Sequence, residues 1–370
     1  LKRLLLLTRH YPPAVSGGIR RPYLLASALR GLGVEVRVIA PSLPGGEPGL
    51  AVPHPNRDPS GDAGPARPSL RGLARDLLLW PDPDIRWCQR AADAGIAEGW
   101  QPDWVLSTSP PESIHVAGRR LARALGARWA ADFRDLWLEA PHRAERRRLH
   151  RQIGERLLAR GLLPQADLVL AVDPVVAAEA GRLGARDPQV LEHFTSEEPV
   201  EPFRYEGSGL NILHAGSIAF SDPEASIGDL LAPFEAAYAT RRDLVLNFAG
   251  RLTAAEQARI AASPAAVSIR QFGPVPYETA RAMMAGADAL AFVGSAKMHV
   301  PPSKITDYLA FDRPIVACGD GPWRADPRVP AEPAEDVLMR LTRGDGRNTM
   351  ARPSTSRDAA ARFLDLCNQL

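Results

Sequence analysis

Lys304 and Asp307 stand three residues apart in VPPSKITDYLAFDRPIVA (300–317). On a helix that spacing sets an ammonium and a carboxylate on neighbouring positions near the electropositive end. Such a pair can hold a phosphate through the ammonium and ribose hydroxyls through the carboxylate. It can equally be an intrahelical ion pair worth roughly 0.2–0.5 kcal/mol. Pro301 and Pro302 fix the chain at the start of that helix, Ser303 reads as its N-cap, and Ile305, Tyr308 and Leu309 take the core-facing positions. Two further runs, LNILHAGS and LVLNFAGR, end strands in glycine. Gly216 beside Ser217, or Gly250 beside Arg251, lets a nucleotide lie against the backbone, and Arg251 offers a bidentate fork to a diphosphate. A glycine at a strand end is also an ordinary turn. Near the start, TRHYPPAVSGGIRRPYLLASAL passes from strand to helix through Gly17 and Gly18, which would bring backbone and a helix N-terminus close to an anion or a sugar oxygen. Arg20 and Arg21 either add positive charge there or begin a solvated helix.

Other chemistry is excluded by pattern. There is no G-x-G-x-x-G, no P-loop, no H-E-x-x-H, no G-x-S-x-G, and no metal-ligand spacing among the eight histidines. No metal site is expected. PDPD (81–84) offers two carboxylates, but its alternating prolines favour a structural turn. The basic run RAERRRLHRQIGERLLAR (143–160) reads as a solvated helix face or as a helix resting on anionic lipid. Cys88, Cys318 and Cys367 are scattered and odd in number, so neither a disulfide framework nor a zinc site is expected. A net charge of +2 with 24% charged residues argues against a grip on nucleic acid. LKRLLLL is too short for the core of a secretory signal, so the expected location is the cytoplasm, with peripheral contact to the inner face of the membrane if 143–160 touches lipid.

The elements that must position these residues alternate between short apolar runs and helical patterns. LKRLLLLT, VEVRVIAP, DWVLSTS, ARWAADF and ADLVLAVD read as strands in the first half, with helices at RPYLLASALRGLG, SIHVAGRRLARALG and about 143–161. Residues 42–69 read as a long loop. SEEPVEPFRYEGSG (196–209) reads as an interdomain connection. A second series follows: LNILHAGS, LVLNFAG, VSIRQFG, ADALAFVG and RPIVACG. The expected fold class is α/β, two Rossmann-like doubly wound domains facing each other across a cleft, with 1–200 as the first, 201–352 as the second, and 353–370 as a helix packing back on the first.

Taken in order, YPPAVSGGIRRPYLLASALRGLGVEVRVIAP, PDPDIRWCQRAADAG, VLSTSPPESIHVAGRRLARALGARWAADFRDLW, FGPVPYETARAMMAGADALAFVG and PPSKITDYLAFDRPIVA resemble the retaining glycosyltransferases of the GT-B fold, in particular the large family 4. The likeness runs along nearly the whole chain. It implies a nucleotide diphosphate sugar, a UDP-sugar ahead of a GDP-sugar, as co-substrate without a further cofactor. It also implies a glycan, lipid-linked or small-molecule acceptor. By this resemblance Gly17 and Gly18 lie against the donor phosphate or sugar, and backbone around Phe272, Gly273 and Val275 reads the base; the strand-end reading adds Gly216 and Ser217 to the donor site, and Arg20 is a further cation for the phosphates from the first domain. Pro302, Ser303 and Lys304 border the diphosphate, and Asp307 takes the ribose-binding acid of the E-x7-E motif. Lys304 and Arg251 would stabilise the leaving group, and Asp135 in DFRDLW would orient the acceptor hydroxyl. Two positions depart from the family pattern. His299 stands where many relatives have a sugar-contacting glutamate, and HAGSIAFSDPEAS lacks the usual Arg and Lys pair. The readings left open are a retaining glycosyltransferase, an inactive GT-B protein that binds sugar nucleotides or glycans, and a GT-B sugar-nucleotide epimerase.

Overall fold

A computed structural model describes residues 1–15, 17–55, 80–139, 149–298, 303–344 and 352–370. The chain divides into two compact units, Leu1–His193 with Ser354–Leu370, and Phe194–Pro353.

In the first unit β1 (Arg3–Thr8) leads through a 3-10 turn at Gly17–Ile19 into α1 (Arg20–Gly31). Next come β2 (Glu35–Ala40), β3 (Gly49–Ala51), α2 (Ile85–Glu98), β4 (Trp104–Ser109), α3 (Ser113–Leu125) and β5 (Arg128–Phe133). Then follow α4 (Leu149–Leu162), β6 (Leu168–Ala171), α5 (Pro174–Arg182) and β7 (Gln189–Val190). The seven strands pair in parallel in the order β3-β2-β1-β4-β5-β6-β7. Leu4 pairs with Val36 on one side and Trp104 on the other, so β1 is central and covered on both faces. That position explains its unbroken leucine run, because a parallel strand buried on both faces has no reason to alternate. The chain reverses direction across the sheet between β1 and β4. Ligands of open α/β sheets bind beyond the carboxyl ends of the strands at such a switch point.

The second unit holds β8 (Leu210–Ala215), α6 (Ile227–Thr240), β9 (Leu244–Ala249), α7 (Ala254–Ala261), β10 (Ile269–Gln271), α8 (Tyr277–Gly286), β11 (Ala289–Val293), α9 (Lys304–Tyr308), β12 (Ile315–Cys318) and α10 (Ala334–Arg340). Its five parallel strands run β10-β9-β8-β11-β12, with the switch between β8 and β11. Two apolar layers flank this sheet. Phe234, Leu246 and Phe248 belong to one, and Phe292, Tyr308 and Trp323 to the other.

α11 (Ser356–Gln369) belongs to the first unit and lies against α1. A reciprocal capping box between Thr355 and Asp358 starts it, and Phe363 is fully buried. Three local readings of the sequence change. The long loop at 42–69 contains the edge strand β3, and residues 56–69 of it lie outside the described residues. PDPD starts α2, to which the sequence reading assigns no element. The segment 196–209 is no free connection. Arg281, buried on α8, donates to the carbonyls of Ser196 and Glu198, the amide of Phe203 donates to the Ala282 carbonyl, and Tyr205 Oη donates to that of Met283.

Candidate functional site

In the second unit the switch point is built around Tyr308. The β8–β11 ladder pairs Ala289 with Ile212 and Leu290 with Leu213. Beyond it the Tyr308 hydroxyl accepts from the Ala215 amide at 2.9 Å and donates to the Ala291 carbonyl at 3.1 Å. This one side chain thereby satisfies backbone groups of both strands where they diverge. It also pins α9 at the mouth of the switch, with Ile305 and Leu309 buried as their spacing predicts. Lys304 lies one helical turn before Tyr308, so its side chain is carried to the same place.

There Lys304 Nζ lies 3.2 Å from His214 Nε2, 3.5 Å from the Ser217 carbonyl oxygen, and against Gly216. A Cβ on Gly216 would sit 3.4 Å from Nζ, and Gly216 has φ +97°, so glycine serves both the turn and the close approach. His214 is fully buried on β8. Burial first, and then the neighbouring ammonium, hold its pKa well below the ordinary histidine value. The ring is therefore neutral, and Nε2 accepts a hydrogen bond from Lys304. Burial also lowers the Lys304 pKa to about 8. Among the described residues no carboxylate pairs with Lys304. A cation held by a neutral ring and a carbonyl, at a switch point lined by backbone, is suited to an anion.

Gly250, at the end of β9, packs so closely on Gly216 that a Cβ there would overlap the Gly216 carbonyl. Arg251 follows it, its guanidinium 4.7 Å from the Phe220 ring centroid. Asp307 is 5% exposed, and its Oδ1 accepts from Thr195 Oγ1 at 3.2 Å and Tyr277 Oη at 3.1 Å. The Lys304–Asp307 ion pair does not form, because the two side chains leave this short helix toward different partners. Ser303 occupies the N-cap position, but its side chain does not cap the helix. Phe272 is 38% exposed and meets Phe203 and Tyr205 edge-on, Gly273 turns the chain with φ +70°, and Val275 packs on the core. His299 and Pro302 lie outside the described residues. His214, Thr195 and Tyr277 were not singled out by the sequence reading. A histidine next to last on a buried strand, just before its glycine, was the available signal for the first. The other two come from distant segments and left none.

In the first unit Gly17 and Gly18 form the 3-10 turn after β1. Space is open beyond Gly17, whereas Gly18 lies against His10 and Arg134. Arg134 is 8% exposed, and its guanidinium donates to the carbonyls of Gly18, Ser109 and Pro110, so it ties the turn before α1 to the end of β4. Burial, then the charges of Arg134 and Arg9, lower the His10 pKa to about 3. Arg20 and Arg21 are buried, which removes the reading of a solvated helix start. Arg21 forms a fork with Asp132, at 2.7 Å from Nη2 to Oδ1 and 3.0 Å from Nε to Oδ2, and donates to the Glu192 carbonyl. Asp135 is exposed just past β5. In PDPD, Asp82 accepts from the Ser113 amide and hydroxyl, each at 2.7 Å, and so closes the N-terminus of α3 as a structural turn. Burial and the nearby Glu112 raise its pKa to about 7. Among the described residues no group of acids, histidines or cysteines could hold a metal ion.

Residues 16–192 match the family model of the Glycosyl transferase 4-like domain. Among curated proteins, none matches the chain by sequence. Similar solved structures include Anabaena HepE in complex with UDP and glucose, at 13% identity and a TM-score of 0.55, covering 100% of this chain and 90% of that one. AviGT4, a glycosyltransferase involved in avilamycin A biosynthesis, is similar at 15% identity and a TM-score of 0.55, over 100% and 98% of the two chains. A Listeria monocytogenes protein assigned as a UDP-N-acetylglucosamine 2-epimerase is similar at 11% identity and a TM-score of 0.58, over 100% and 96%. The chain thus has the α/β fold, two sheets of parallel strands with interleaved helices, found in GT-B glycosyltransferases and epimerases, and its first unit is glycosyltransferase-like.

Proposed function

We propose that the protein transfers a sugar from a nucleotide diphosphate sugar to an acceptor hydroxyl with retention of configuration, the second unit holding the donor and the first the acceptor. One observation carries this reading: the Lys304 ammonium, without a carboxylate partner among the described residues, sits beside the open turn at Gly216 and Ser217 at the carboxyl end of β8. A leaving diphosphate gains negative charge as the glycosidic bond breaks, and a cation already in place there lowers the barrier without reorganisation. Lys304 meets that charge, and Arg251, leaving the adjacent strand, is assigned to the same leaving group. Ser217 borders the phosphates through its backbone. Asp307 is assigned to the ribose and the Phe272–Val275 turn to the base. HepE was solved with UDP and glucose, which supports a UDP-sugar as the donor here. Retention follows from acceptor attack on the face that the diphosphate leaves, with Asp135, exposed on the first unit, orienting the hydroxyl.

The test is donor binding by Lys304→Ala. Calorimetry should show UDP affinity weakened by about 10- to 150-fold, the equivalent of losing a charge-assisted contact of about 1.5–3 kcal/mol, with the melting temperature retained. Unchanged affinity removes the proposed site. An epimerase is a second reading, favoured by the full-length likeness to the Listeria protein. It predicts a new sugar nucleotide without any acceptor, whereas the transferase reading predicts sugar consumption that requires one.

A further inference from the structure

We infer that the outer face of α4 docks the first unit onto an anionic lipid surface, an inference independent of the transferase reading. The inner face of this helix is anchored, with Ala159 and Leu162 in the core and Glu155 buried beside them. Opposite, Leu149, Ile153 and Leu157 recur every fourth residue and are 72%, 52% and 65% exposed. No other helix among the described residues sets three large apolar side chains this open on one face. Water gains nothing from that arrangement, and an isolated exposed leucine is ordinary where a stripe is not.

The surroundings select the occupant. Arg156 and Arg160 project on the same outer face, and neither forms an ion pair among the described residues. Glu155, the one acid of the helix, is 3% exposed and turned inward, so this face presents cations and no carboxylate. Trp80 lies along its flank, with the indole 3.3 Å from where a Cβ on Gly154 would stand and 36% of the residue exposed. Apolar side chains bordered by arginines and an amphipathic aromatic match the headgroup boundary of a bilayer. A protein partner of mixed charge would leave those arginines unanswered. The helix has 14 residues, and no helix among the described residues is long and apolar enough to cross a membrane, so the contact is one of lying on the surface.

Flotation of the full chain with vesicles tests this. Vesicles of phosphatidylcholine with about 30% phosphatidylglycerol should carry the protein at least about tenfold better than phosphatidylcholine alone at about 0.1 M salt, and less well as salt rises. Ile153→Asp with Leu157→Asp should abolish flotation, while Arg156→Ala with Arg160→Ala should weaken it about tenfold or more, since each arginine near an anionic surface is worth about fivefold. All of these positions are exposed, so the melting temperature and UDP binding should not move. The inference is overturned if the wild-type chain stays at the bottom of the gradient, or if the Ile153→Asp and Leu157→Asp protein floats equally well. It is also overturned if ultracentrifugation shows a dimer that those two substitutions dissociate while neither protein floats, because a second copy then covers the stripe.

Discussion

His214 and Lys304 join a neutral ring to an ammonium, so the two substitutions of His214 that keep or lose its acceptor should behave differently. Phenylalanine fills the space without a lone pair, whereas glutamine can offer its carbonyl oxygen near the Nε2 position. His214→Phe should weaken UDP binding about tenfold or more, as for one hydrogen bond to a charged group of about 1.5 kcal/mol, and His214→Gln should recover most of the loss. Equal weakening by both, with melting temperatures unchanged, would show that the ring does not position the lysine. Lys304 could be singled out in the sequence because a cation directly after a prolyl turn is a local pattern. The ion pair with Asp307, left open as an alternative, does not form, since Asp307 turns to Thr195 and Tyr277. A one-dimensional reading sees residues three apart on a helix, and it does not see that this helix has only five residues with Asp307 on its buried side.

The elements make the site through contacts that leave no room for a side chain. A Cβ on Gly250 would overlap the carbonyl of Gly216, so Gly250→Ala should push the ends of β8 and β9 apart. The expected cost is about 1–3 kcal/mol, typical of overpacking, read as a lower melting temperature together with weaker UDP binding. A substitution that left both unchanged would mean that the turn is not held by this contact. At this scale the sequence reading was strongest for the parallel strands, because burial on both faces writes continuous apolar runs such as LKRLLLLT. It was weakest at the sheet margins. β3 has three residues and no fully buried side chain, and β7 has only two residues, Gln189 and Val190, so neither imposes a period on its sequence. The PDPD turn was legible because alternating prolines are a local signal, whereas the contact of Asp82 with Ser113, 31 residues further on, left no trace in the sequence.

Over the whole molecule, pH bears on two different properties. His115 is fully buried in the first unit, and burial lowers its pKa to about 3. The unfolded chain therefore binds more protons than the folded one between about 6.5 and 3, and stability contributed by this residue is lost as pH falls through that window. Thermal melts at pH 7 and pH 4.5 should show the wild-type melting temperature falling with acid more than that of His115→Asn, and an equal fall would assign the acid sensitivity elsewhere. Asp82, with a raised pKa of about 7, works in the opposite sense between about 4 and 7, which is why the comparison is made against a variant at one position. Donor binding answers to pH on the alkaline side. Under the proposed function Lys304 would attract a diphosphate only while protonated; burial lowers its pKa to about 8, and a bound diphosphate would raise it. UDP calorimetry between pH 7 and pH 9.5 on the wild type and Lys304→Ala is the most direct measurement. Wild-type affinity should be flat to about pH 8 and then fall by up to about tenfold per pH unit, while the variant binds more weakly and shows no such fall. Equal affinity of the two proteins, or the same alkaline fall in both, would contradict the assignment of Lys304 to the leaving diphosphate.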